Sequence, residues 1–245
     1  MADSNPYDKL TFEDFRARAL DPELSCHEKV GFPDDYREGQ EHAIFADIRR
    51  KLPTLENRGG VVVEIGPGCG PLPTVLLEFC LERDKELVLI DSAEMLQTFP
   101  DHKNVHKIAG EFPNVGWDRW VGCAEAVIAY SVVQYPHHAG FLDEFVSAGM
   151  DLLVEGGGFL LGDIPNASMR ARFFASTAGQ EMHRRYTGEE NPPPVKFDTD
   201  AMNDGDVAHM LEHARAQGMH AWVLPQDAAL PMANRREDLL IKRPI

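Results

Sequence analysis

Apolar residues follow two spacings along this chain, and the two alternate. Val61, Val62, Val63 and Ile65 form a short β-branched run, which predicts a buried strand. Leu72, Val75, Leu76, Phe79 and Cys80 then recur at the spacing of one helix face, with Pro71 and Pro73 admissible only in its first turn. Apolar runs at 87–90, 126–129 and 159–161 predict three more strands. Phe141, Phe145 and Ala148 place an amphipathic helix between the last two. Strands separated by helices predict a parallel sheet covered on both faces. The final stretch differs. Val207, Met210, Leu211 and Ala214 mark a helix closed by Gly218. Segments 220–224 and 239–242 have no helix between them, so they are predicted to pair antiparallel at the edge of the sheet.

The first 58 residues read as helical and polar. Within 36–52, Ile44, Ile48 and Leu52 share one stripe with Phe45 beside it, and Pro53 stops the helix. Asn191-Pro192-Pro193-Pro194 predicts an extended loop. The organisation expected is an N-terminal helical cap over 1–58 and a main domain over 59–245, with an insertion at about 164–200.

Composition narrows the function. The 245 residues carry a formal net charge of −16, with 43% hydrophobic and 26% charged residues. That is an ordinary globular balance. A chain this acidic repels phosphate backbones, whose binding rests on Lys and Arg, so nucleic acid and anionic membrane are not expected partners. No apolar run reaches the ~18 residues of a membrane-spanning helix. The first residues lack the basic and apolar regions of a secretory signal, and a cytoplasmic protein is expected. Cys26, Cys69, Cys80 and Cys123 form no C-x-x-C pair, so no metal knot is expected and they read as free thiols, a disulfide remaining open. His209 and His213 lie four apart on one helix but lack a third ligand, and read as a surface pair.

The chemistry is concentrated in Glu64-Ile65-Gly66-Pro67-Gly68-Cys69-Gly70. A glycine-rich turn between a buried strand and a helix lets backbone approach a ligand and aims a helix N-terminus at it. Asp91 closes the next strand, where a carboxylate can accept from a ribose diol. A P-loop needs Gly-Lys-Ser/Thr at the helix start, and none stands there. A dinucleotide fingerprint needs glycine at 71, where Pro71 stands, which weighs against NAD and FAD.

These residues resemble the class I S-adenosylmethionine-dependent methyltransferases. Segment 62–70 resembles that family's first motif, and 89–96 (Leu-Ile-Asp-Ser-Ala-Glu-Met-Leu) the motif of its second strand. Segment 109–112 (Ala-Gly-Glu-Phe) stands where the family meets adenine. Segments 126–135 and 153–163 resemble its fourth-strand motif and the glycine turn into its fifth, with Glu155 in place of a proline. The resemblance spans 59–163. It implies a Rossmann-like three-layer α/β sandwich with a mostly parallel seven-stranded sheet, an antiparallel C-terminal edge strand and the N-terminal cap. It also implies S-adenosylmethionine as cofactor. Gly66, Pro67, Gly68 and Gly70 would pass under the cofactor, with Glu64 at its methionine end. Asp91 would take the ribose, Ser92 and Met95 would flank the adenosine, and Gly110, Glu111 and Phe112 would face the adenine. Tyr130 would form the floor, and Tyr36 and Arg37 would hold the carboxylate.

Methyl transfer needs alignment of acceptor and donor, and a base where the acceptor is a hydroxyl. His137, His138 and Asp163 are the base candidates. The alternative for the two histidines is that they cap a helix beginning near Ala139. Tyr135, Arg170 and Arg172 are candidates for binding the acceptor. The arginines of the insertion suggest a lid that grips an anion, or equally a solvated helix or a dimer contact, so a homodimer is open. The acceptor expected is a small molecule, preferably the hydroxyl of a sugar or anionic metabolite. The rivals are N-methylation of a small amine, a non-catalytic binding module, and an NAD-dependent redox enzyme.

Overall fold

A computed structural model describes residues 10–32, 37–189 and 201–245. The predicted loop at 191–194 and Tyr36 lie outside the described residues.

Seven strands form one sheet in the order β3-β2-β1-β4-β5-β7-β6. They are β1 (Val61–Ile65), β2 (Glu86–Asp91), β3 (Val105–Ala109), β4 (Ala124–Tyr130), β5 (Leu153–Pro165), β6 (His220–Pro225) and β7 (Arg236–Lys242). β1 to β5 pair in parallel. β7 runs antiparallel to both β5 and β6, so the C-terminal hairpin completes the edge of a sheet whose other six strands share one direction.

Alternation along the strands divides the core between the two faces. Val63, Ile65, Val88, Ile90, Val127 and Phe159 point to one face, beneath α7 (Leu142–Asp151) and α10 (Asp204–Ala216). Val62, Leu87, Leu89, Ile128 and Leu160 point to the other, beneath α3 (Glu41–Lys51) and α4 (Pro71–Glu82). The predicted stripe on α3 is the buried one, since Ile44, Phe45 and Ile48 are its buried apolar residues. That helix begins at Glu41 rather than near residue 36.

β3 has no apolar run to announce it. Its sequence is Val-His-Lys-Ile-Ala and most of it is half-buried, because it is an edge strand. β5 reaches 13 residues, well beyond the predicted run at 159–161. Its glycines make that possible: a Cβ at Gly157 would lie 2.8 Å from the Ala124 carbonyl oxygen. After β5 come α8 (Ala167–Ala175) and α9 (Thr177–Thr187). Before β1, α1 (Phe12–Leu20) and α2 (Cys26–Lys29) each start with a capping box, Thr11 with Asp14 and Ser25 with Glu28. α1 buries no residue. α5 (Ala93–Leu96) and α6 (Gln134–Ala139) complete the helices named here. Among the described residues no helix is long and apolar enough to cross a membrane.

Candidate active site

The carboxyl ends of β1, β2 and β4 open into a cavity that α1, α2 and the start of α3 cover. Glu64, Gly66, Pro67, Gly68, Gly70, Asp91, Met95, Gly110, Glu111, Phe112, Tyr130, Tyr135 and Arg37 all line it. The sequence-derived set therefore converges on one place, although it comes from segments up to 98 residues apart.

Gly66 and Gly68 hold φ of +67° and +68°, which glycine adopts without strain. The loop is also crowded from above. A Cβ at Gly66 would stand 2.7 Å from Val132 Cγ2, and one at Gly68 would collide with Val30 Cγ1. Asp91 secures the loop from below. Its Oδ2 accepts from the Gly68 N–H at 2.8 Å and its Oδ1 from the Ser92 N–H at 2.6 Å. A carboxylate has about four acceptor positions, so two remain for a ligand's hydroxyls. Burial pushes the Asp91 carboxyl up to about 6, against the pull of those two N–H donors. Ser92 is buried beneath this turn, where its hydroxyl accepts from the Met95 N–H at 3.2 Å and caps α5.

Glu64 lies on β1 at 4% exposure, and its Oε2 is buried without a hydrogen-bond partner. Burial, then repulsion from Asp91, pushes its carboxyl up to about 8. Leaving such a group unpaired costs roughly 1–3 kcal/mol, so it marks a place for a cationic or hydrogen-bond-donating ligand. Gly110 donates its N–H to the Asp91 carbonyl at 2.8 Å, and a Cβ there would collide with Val115. Phe112 stands edge-on to Phe145 with centroids 5.4 Å apart. Burial raises the Glu111 carboxyl as well, with Glu13 adding to it.

Arg37 enters from the cap. Its Nη2 donates to Asp163 Oδ2 at 2.5 Å and to Ser131 Oγ, while its guanidinium lies 3.7 Å from the Phe32 ring centroid and 5.6 Å from that of Tyr130. Its Nε and Nη1 have no hydrogen-bond partner among the described residues. Burial raises the Tyr130 hydroxyl well above its ordinary value.

The remaining candidates stand elsewhere. His137 and His138 occupy the last turn of α6 rather than the start of a helix near Ala139. His137 Nε2 lies 3.2 Å from Asp206 Oδ1 of α10, His138 is exposed, and neither lines the cavity. Asp163 is buried at 3%, and its oxygens receive Arg37, Arg236 Nη1 at 3.1 Å, Gln226 Nε2 at 3.2 Å and the Ser131 hydroxyl. Asp163 does not line the cavity, and its oxygens are committed to these partners. Arg172 is paired with Asp204 at 2.5 Å and Arg170 lies 5.4 Å from the Phe174 ring, because α8 packs against α9 and α10. Neither arginine lines the cavity.

Sequence reasoning expected a cap over 1–58 but did not name the residues of its inner surface, Arg37 apart. Phe12, Phe15, His27, Val30, Phe32, Glu41 and Ile44 line the cavity from above. His27 Nε2 lies 3.1 Å from Glu41 Oε1 with both side chains largely buried, and Phe15 stands edge-on to Tyr135 at 4.8 Å. Nothing in the polar segment 10–32 signals this, since only docking onto the main domain gives these residues their neighbours.

No family model matches the chain, and no curated protein matches it in sequence. Solved structures match in fold. The plantazolicin methyltransferase BpumL, solved with a triazolic desmethyl-plantazolicin analogue and S-adenosylhomocysteine, superposes with a TM-score of 0.57 at 11% identity, covering 95% of this chain and 98% of that one. The Haloferax volcanii complex of the Trm112 methyltransferase activator with a methyltransferase gives a TM-score of 0.55 at 15% identity, over 95% and 98% of the chains. A Rhodobacter sphaeroides chain designated a zinc-dependent alcohol dehydrogenase gives 0.51 at 12% identity, over 82% and 90%. The fold of this protein is that of the class I S-adenosylmethionine-dependent methyltransferases. At these identities the likeness concerns the fold, and the chemistry has to be argued from the site.

Proposed function

We propose that this protein is an S-adenosylmethionine-dependent methyltransferase acting on a small molecule. The observation that carries the reading is the pairing of unmet groups beside the glycine loop. Glu64 presents a buried acceptor without a partner, and Arg37 presents unspent N–H donors across the same cavity. An α-amino acid end meets both, its ammonium at Glu64 and its carboxylate at Arg37. Asp91 keeps acceptor positions for a ribose diol, and Met95, Gly110 and Phe112 form an apolar slot beside it for a base. Glu111 lines the same cavity. The residues present therefore fit the cofactor.

When bound, the cofactor supplies a methyl group already activated by a sulfonium. The chain has to align the acceptor with that methyl, keep water out, and receive a proton where the acceptor is a hydroxyl. Tyr130 forms the floor, and Phe12, Phe15, Phe32, Phe141 and Tyr135 enclose the roof side. The polar pair within that roof is His27 with Glu41. This lining supports an acceptor with an apolar face and a hydroxyl, a sugar ring among them, whose proton meets the His27–Glu41 pair. With Arg170 and Arg172 committed elsewhere, a strongly anionic acceptor loses the support those residues would have lent it.

The test is calorimetric titration with S-adenosylhomocysteine, with NADH in parallel. Micromolar binding of the first and none of the second is the expected result. Binding of NADH alone would replace this reading with a redox one. Binding of S-adenosylhomocysteine without turnover across hydroxylated and amine acceptors would favour a cofactor-binding module of the same fold.

A further inference from the structure

Two non-glycine residues near the ends of neighbouring strands hold left-handed backbone, Ser131 after β4 (φ +62°) and Asp163 in β5 (φ +59°). Such conformations cost of order 1–3 kcal/mol each and persist where their surroundings impose them. The β5–β7 register shifts between Leu161 and Ile164, so Asp163 stands at a bulge, a device that re-aims a side chain. The re-aimed carboxylate is anchored from behind. Its own N–H donates to Asp238 Oδ1 at 2.8 Å, and Asp238 is held by Lys51 at 2.6 Å. Arg236 Nη1 donates to the Asp163 carbonyl at 2.9 Å as well as to its carboxylate. Asp163 does not line the cavity, whereas Arg37 and Ser131 do.

We propose that Asp163 is a positioning residue: it fixes Arg37, with Ser131, so that the remaining guanidinium donors receive the cofactor's carboxylate. This rests on the methyltransferase reading above. Asp163 and Ser131 engage one nitrogen of Arg37, Nη2, and Phe32 fixes the plane of the group at 3.7 Å. A planar group held at one corner offers its other donors, Nε–H and Nη1–H, in set directions from which a carboxylate can accept. Arg37 and Arg236 share the single carboxylate of Asp163, whereas Lys51 is divided between Asp238 and Asp47. Asp163 thus ties Arg37 to the end of the sheet.

The experiment is a double-mutant cycle read with two ligands. S-adenosylhomocysteine carries the amino acid end, and 5′-methylthioadenosine lacks it. Asp163→Asn keeps a residue tolerant of left-handed backbone and removes the charge. It is expected to raise the Kd of S-adenosylhomocysteine about tenfold, the scale of a charge-assisted hydrogen bond, and that of 5′-methylthioadenosine by less than about twofold. In an Arg37→Met background the same substitution should change the S-adenosylhomocysteine Kd by less than about twofold. Thermal melting checks folding, and Ser131→Ala takes the place of Asp163→Asn in the cycle if the latter does not fold. Equal losses for both ligands would make Asp163 a structural residue and overturn the proposal. So would an unchanged Kd, or a tenfold loss that persists without Arg37. If the unmutated protein binds neither ligand, the cofactor reading itself falls and takes this inference with it.

Discussion

Glu64 shows what a single residue can disclose. A carboxyl at about 8 in the folded protein, against 4.5 ordinarily, binds its proton more tightly folded than unfolded. Stability linked to it is therefore full below about pH 4.5 and is lost as pH rises through about 8. Glu64→Gln, which removes the titration, should raise the melting temperature at pH 8 and leave it nearly unchanged at pH 4.5. The gain at pH 8 is a few kcal/mol at about 1.36 kcal/mol per unit. The same variant should weaken S-adenosylhomocysteine, because the acceptor for its ammonium becomes an amide. A melting temperature that falls at pH 8 would contradict the burial of an unpaired carboxyl. Asp91→Ala should cost roughly 1–3 kcal/mol of S-adenosylhomocysteine affinity by calorimetry, the worth of hydrogen bonds to a charged group. Unchanged affinity would remove Asp91 from the ribose. Both residues were legible in the sequence because their neighbours in the chain, Gly66 to Gly70 and Ser92, define their setting. The bases proposed on position alone, His137, His138 and Asp163, were not legible in this way. Whether a side chain faces a cavity or a neighbouring helix depends on elements far away, here α10 for His137 and the Arg37–Arg236 pair for Asp163.

Among the elements, α7 carries a test in which two rules oppose. Glycine inside a helix usually costs about 1 kcal/mol relative to alanine, so Gly149→Ala should stabilise by propensity. Gly149, however, packs against the ring of Phe159, which is fully buried in β5, and a Cβ there would lie 2.7 Å from Phe159 Cζ and closer still to Cε1. Overpacking a tight core costs about 1–3 kcal/mol, so the contact outweighs propensity and Gly149→Ala should destabilise. Chemical denaturation reads the sign directly, and a stabilised variant would mean that Phe159 can move. Element type was the most readable feature of the chain. Strands β1, β2, β4 and β5 each carry a continuous apolar run, because both faces of a parallel sheet are buried, and helices α3, α4, α7 and α10 each carry an apolar stripe at the 3.6-residue spacing. β3 was not located in the sequence; the resemblance implied only a seventh strand. At a sheet edge, half-buried His106 and Lys107 interrupt the apolar run.

The whole molecule adds a joint between the N-terminal helices and the sheet with its loops. α1 buries no residue of its own and is held by Arg16 on Glu94 at 2.7 Å and by Phe15 on Tyr135, while Val30 sits over Gly68. Arg16 is 41% exposed, and pairs of this kind contribute about 1 kcal/mol or less. So thinly held a segment opens at low free-energy cost. Hydrogen exchange in residues 12–32 should therefore be much faster than in β4, and saturating S-adenosylhomocysteine should slow it by about the factor 1 + [L]/Kd. Protection confined to the glycine loop, with the cap unchanged, would show that the cap is not part of the binding site.

By itself the sequence determined six of the seven strands and the helices with a clear apolar stripe, that the sheet is parallel with an antiparallel hairpin at its end, and where the glycine-rich loop and Asp91 lie. Those properties are local: they depend on periodicity and on residues a few positions apart. The tertiary structure alone decided which residues of α1 and α2 face the cavity, that His27 meets Glu41, and that Asp163 pairs with Arg37. It likewise turned Arg170 and Arg172 away from the cavity. Each of these joins residues brought together by docking one element on another, and their side-chain directions are set by burial and charge pairing that no local pattern encodes.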